Sequence, residues 1–198
     1  MLTHITVRAN NNIFIRTPAG IDYGHPAFLN ADGTSRIYSI WDQTIPIGNM
    51  KSGRIPDGFL FGAEYLRSNI NEALMSDNPK NIVPSVDTNG HGTFLAGVAA
   101  ASETADYIGA APEAEILMVK LKPAKKYLRD FYLLPERVEA YSETDMMMGV
   151  RFLQQYAIRE KKPLVICVGL GTASGSRTGA LPFADLLNTL ARQVNTVV

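Results

Sequence analysis

Apolar positions along the 198-residue chain fall into two alternating kinds of stretch. Short β-branched runs predict strands over residues 13–15, 36–41, 59–66, 115–121 and 164–168, and residues 195–198 read as the start of another. Longer stretches with apolar residues three and four apart predict helices over residues 68–75, 91–102, 143–160 and 181–192. Strands that alternate with helices indicate an α/β domain on a mainly parallel sheet. Residues 1–12 form an N-terminal extension, and residues 122–140, with Lys122-Pro-Ala-Lys-Lys126 and Pro135, read as a surface excursion between a strand and a helix. The rest of 1–198 reads as one domain without repeats.

Composition acts mainly by exclusion. Nineteen Lys and Arg balance nineteen Asp and Glu, so the net charge is zero and no basic stripe exists to attract nucleic acid or an anionic membrane surface. No apolar run is long enough to span a bilayer, and Met1-Leu-Thr-His4 does not open an export signal, which leaves the compartment undecided. Cys167 is the only cysteine and sits in the apolar run Leu164-Val-Ile-Cys-Val168, so the expectation is a buried thiol and a fold held by its core alone.

The densest chemistry lies in Asp87-Thr-Asn-Gly-His91-Gly-Thr-Phe-Leu-Ala-Gly97. Gly92, Ala96, Ala99 and Ala100 give the predicted helix one very small face, suited to close packing. His91 falls in its first turn, where the positive end of the helix dipole disfavours imidazolium and keeps the ring able to accept a proton. A general base requires that state. The alternative is a histidine that merely hydrogen-bonds locally at a helix start.

Asn89-Gly-His91-Gly-Thr93 followed by Ala96-Gly97 resembles the histidine motif of the subtilisin-like serine proteases, the subtilases. Gly20-Ile-Asp22-Tyr-Gly-His25-Pro26 is similar to the segment after that family's catalytic aspartate, Ile108-Gly-Ala-Ala-Pro112 to its Gly-x-Ala-Pro segment, and Leu164 to Gly171 to the strand and glycine-rich turn of its substrate cleft. The order of all four agrees, and the chain is similar to the large clostridial-type subtilases, which include spore-germination members and pseudoproteases. The resemblance implies a doubly wound sheet with helices on both faces, cut short on its C-terminal side. It also implies serine endopeptidase chemistry with His91 as general base and backbone pairing of an extended peptide with Gly169, Leu170 and Gly171; the residues themselves point to no cofactor or metal.

The chain departs from this pattern at two members of the triad. The alignment puts Pro18 at the catalytic aspartate, and proline accepts no hydrogen bond from an imidazole; Asp22, four residues on, is the alternative carboxylate. The nucleophile motif Gly-Thr-Ser-x-Ala does not occur; Gly33-Thr-Ser35 precedes the histidine inside a string of turn formers, and Ser174 and Ser176 fall in the glycine-rich turn. The oxyanion asparagine is expected after the strand that Thr196 begins. The reading is therefore an incomplete subtilase domain, inactive as this chain, which associates with itself or pairs with the missing C-terminal part. Its alternative is a pseudoprotease that binds peptide or regulates. A third reading, a nucleotide site on Gly169-x-Gly171-x-x-x-Gly175, has the third glycine one place late and no acidic residue after Asp185 to hold a ribose. Asp22, His25, Asp32 and Asp87 match no metal-binding spacing.

Overall fold

A computed structural model describes residues 20–104, 106–171, 178–193 and 195–198, and the backbone of residues 12–17. Six strands form one sheet in the order β3-β2-β4-β1-β5-β6, with β1 at Asn12–Thr17, β2 at Ile37–Asp42, β3 at Ala63–Leu66, β4 at Ile116–Lys120, β5 at Leu164–Val168 and β6 at Thr196–Val197. Every pairing is parallel except β2 with β3, which is antiparallel. The central strand β4 is buried along its whole length, as its unbroken apolar run requires of a strand covered on both sides.

Alternation along β4 sorts its side chains between two cores. Ile116 and Met118 face the first, where α1 (Arg67–Leu74) contributes Ile70 and Ala73 and α2 (His91–Ala100) contributes Ala96 and Ala100. Leu117 and Val119 face the second, under α4 (Glu143–Glu160) and α5 (Pro182–Ala191), with Val150, Phe152, Leu153, Tyr156 and Leu190. On β2, Ile37 and Ile40 share the first core although they stand three apart, because the register shifts between Ile37 and Ser39 and the bulge re-phases the strand. The structure is thus α/β with helices on both faces of a mainly parallel sheet.

Two elements differ from the sequence expectation. Of the strand expected over 59–66, only Ala63–Leu66 pairs, since Pro56 and the left-handed Gly58 and Gly62 hold 56–62 in turns. The excursion at 122–140 carries a short helix, α3 (Lys126–Phe131). Phe131, Tyr132 and Leu133 there are exposed.

A buried arginine ties the first core together. Arg36, 6% exposed, donates Nη1–H to the carbonyl of Ala100 at 2.7 Å and to Ser102 Oγ at 2.9 Å, and Nη2–H to the carbonyl of Ala114 at 2.6 Å. The Ala100 carbonyl ends α2, where the helix dipole favours a cation. Burial pulls its guanidinium below the ordinary arginine value, with Glu113 opposing the shift.

Candidate functional site

The carboxyl ends of β1, β4 and β5 and the first turn of α2 meet at one edge of the sheet, the edge where open α/β folds place their ligands. Gly20 starts the segment that leaves this edge. Its φ is +96°, and a Cβ there would stand 2.7 Å from the carbonyl of Val86, so both the turn and the close approach require glycine. Fully buried Ile21 then anchors the segment and brings Asp22 beside α2.

The start of α2 is held by two side chains of the preceding loop. Asn89 Oδ1 accepts from the His91 amide at 3.0 Å. Asp87 accepts from the Gly90 amide at 2.9 Å through Oδ1, and from the Thr93 amide at 2.8 Å and Thr93 Oγ1 at 2.6 Å through Oδ2. The amides of Gly90, His91 and Thr93, which a helix start leaves without partners, are thereby satisfied. Burial opposes ionisation of Asp87, but its hydrogen bonds to Thr93, Asn89 and Gly90 outweigh that and hold the carboxyl below its ordinary value. Thr93 Oγ1 in turn accepts from the Asp22 amide at 2.9 Å, which locks the segment after β1 onto the helix.

This tie decides what Asp22 does. Its main chain is fixed to Thr93, and its carboxylate turns back to accept from the Gly24 amide at 3.1 Å. Among the described residues it makes no hydrogen bond to His91. Pro18, Ser174 and Ser176 lie outside the described residues.

His91 itself is exposed, and its Nε2 lies 3.2 Å from the carbonyl oxygen of Gly169. That contact exists because position 169 lacks a side chain: a Cβ would stand 2.0 Å from Leu95 Cδ1 and 3.5 Å from His91 Nε2. Leu170 packs toward the second core, and a Cβ at Gly171 would meet no atom of the described residues within 4 Å. On the outward side of α2, His91 is followed at one and two turns by Phe94 and Val98, both exposed, so an apolar strip continues from the imidazole. Gly92, Ala96 and Ala100 are buried beneath the helix, where their size lets it lie close to the sheet.

Behind the site lies a polar network that sequence reasoning missed. Lys120, at the end of β4, reaches the carbonyl of Val86 at 2.9 Å and Asp42 Oδ2 at 3.4 Å. Asp42 also accepts from Ser85 Oγ at 2.7 Å and from Thr44 Oγ1 and N. Lys120 ends an apolar strand, and only the parallel register, which sets it level with Asp42 and Thr17, shows it as a buried ion pair. No cluster of metal-binding side chains occurs among the described residues.

The subtilase family model matches residues 19–191. Among solved structures, the chain is similar to the CspB protease of Clostridium perfringens, with a TM-score of 0.73 and 31% identity over 94% of this chain and 35% of that one. It also matches sphericase, with a TM-score of 0.48 and 16% identity over 91% of this chain and 42% of that one. The chain thus spans about a third of the length of the CspB protease chain it matches. No curated protein matches it.

Proposed function

Because the chain belongs to the subtilase family, we propose that it supplies the histidine-bearing part of a serine-peptidase cleft and that, as this chain, it holds an extended peptide without cleaving it. The observation that carries the reading is the contact between His91 Nε2 and the Gly169 carbonyl. A carbonyl only accepts, so the hydrogen bond puts the proton on Nε2. A general base needs the opposite tautomer, with the proton on Nδ1 held by a carboxylate and the lone pair on Nε2 facing the nucleophile. In a serine protease, loss of the orienting carboxylate lowers kcat by about 10⁴ through this tautomer error. Here Asp22, the alternative orienting carboxylate, accepts from the Gly24 amide instead.

Peptide retention rests on other features. Gly169 and Gly171 follow β5 without side chains, and Phe94 and Val98 line the adjoining strip with exposed apolar surface. An extended segment laid there pairs with backbone and buries apolar side chains.

The endopeptidase reading is the second. It rests on the position of His91 at the start of α2 and requires the ring to turn away from Gly169 toward a serine.

A serine-directed fluorophosphonate and a fluorogenic casein substrate separate the two. The expected result is no adduct and no turnover, with the ¹⁵N spectrum of His91 showing the Nε2–H tautomer. A fluorescein-labelled apolar hexapeptide should bind saturably, and more weakly to Gly169→Val. A stoichiometric adduct on Ser174 or Ser176, or catalytic turnover, would overturn the proposal.

A further inference from the structure

On the other face of the sheet from α2, between the loop before β3 and the C-terminal half of α4, lies a cavity of about 300 Å³. Its floor is a buried acid whose valences are already used. Glu64, 1% exposed, accepts from Arg54 Nε at 2.8 Å, from Ser39 Oγ at 2.9 Å and from the Tyr156 hydroxyl. Arg54 and Tyr156 thus neutralise and satisfy the carboxylate, and Glu64 offers nothing further to a ligand.

The cationic groups are used less completely. A guanidinium carries five N–H donors. Arg54 spends its Nε–H on Glu64 and also leans on Tyr156. Arg159 lies over the Tyr156 ring at 4.0 Å and gives its Nε–H to Glu160 at 3.2 Å. Its Nη1 is 4.0 Å from Asp57, a rim carboxylate that is 83% exposed and therefore screened by water. Gln155 projects into the same space, and no hydrogen bond of its side chain occurs among the described residues. Phe152 and the Tyr156 ring supply an apolar wall. Two half-exposed guanidiniums and an amide therefore gather around one aromatic surface, in a space at the small end of ligand pockets.

We propose that this cavity is a binding site for a small organic carboxylate, with the anionic end held by Arg54, Arg159 and Gln155 and the hydrocarbon end laid on Phe152 and Tyr156. Planar guanidinium donors fit a carboxylate in bidentate fashion, and the aromatic wall excludes ligands that are charged throughout. The site is independent of the His91 cleft, which lies on the opposite face of the sheet.

Titration of the full chain with sodium benzoate, its neutral isostere benzamide and the cation benzamidinium tests this, read by the NMR signals of the Gly58 amide and the Gln155 side-chain amide. The expected result is saturable displacement of both signals by benzoate, a much weaker response to benzamide and none to benzamidinium. Arg159→Gln should raise the Kd for benzoate about tenfold, the loss of one charge-assisted contact. Because the Arg159 side chain is 46% exposed and Glu64 keeps its partner Arg54, that variant leaves the fold intact. Gln155→Glu, which adds an anion to the wall, should abolish binding. Signals unmoved by benzoate, an equal response to benzamidinium, or an unchanged Kd in both variants would overturn the proposal.

Discussion

Asp87→Asn is the most informative single substitution at the start of α2. Asparagine keeps one acceptor oxygen, enough for the Gly90 amide, but replaces Oδ2 with an NH₂ group. Two donors, the Thr93 amide and its hydroxyl, then face another donor where they had a carboxylate at 2.8 and 2.6 Å. Loss of the cap costs about 1 kcal/mol and loss of the negative charge beside the helix N-terminus up to about 1 more, for a total of about 2 kcal/mol. With a urea m-value of about 2 kcal/mol/M for a domain of this size, the unfolding midpoint should fall by about 1 M. The pH dependence follows from the lowered carboxyl. A carboxyl that binds its proton less readily when folded contributes its full stability above the unfolded value, near 3.8, and loses it as pH falls through the still lower folded value. The gap between wild type and Asp87→Asn should therefore be constant from pH 8 to 5 and narrow only below about 4. Urea titrations by circular dichroism across that range measure it. A midpoint shift under about 0.3 M at pH 7, or a gap that narrows already between pH 8 and 5, would refute the reasoning.

Three further outcomes are expected. Arg36→Met leaves the carbonyls of Ala100 and Ala114 and the Ser102 hydroxyl without their donor inside the first core, and should cost about 3 to 5 kcal/mol in the same urea assay. Gly20→Ala combines a positive φ with a Cβ 2.7 Å from the Val86 carbonyl, and should cost about 2 to 4 kcal/mol while moving the Asp22 and Thr93 amide signals in an NMR spectrum. Burial pushes the Cys167 thiol up, so Ellman's reagent at pH 8 should react slowly with the native chain and at the rate of a free thiol in urea.

Much of the architecture was legible because it is written in local periods. Helix α4 runs over the predicted residues 143–160 and β5 over 164–168, since each has a long unbroken pattern and clear end signals: Ser142 with Glu143 and Asp145 at one end, and a left-handed Lys161 just before Pro163 at the other. The run at 59–66 misled because its apolar residues serve two purposes. Phe59 and Phe61 pack against Trp41 from turns, and only Ala63–Leu66 carries the backbone pairing. Aromatic content looks the same in both roles.

His91, the small face of α2 and the glycines after β5 could be singled out from the sequence alone, because their chemistry follows from residue type and short spacing. The sequence also showed proline where the orienting aspartate is expected. It could not show that Asp22 is tied to Thr93 and turned toward Gly24, that Gly169 presents its carbonyl to the imidazole, or that Lys120 and Arg36 are buried cations. Apart from the local turn of Asp22 toward Gly24, those are contacts between residues 64 to 78 positions apart or across neighbouring strands. Their geometry is set by strand order and register, which residue type and local spacing do not encode. The family and the prominence of His91 were matters of pattern; that the imidazole meets the Gly169 carbonyl was decided by how the turn after β5 lies against α2.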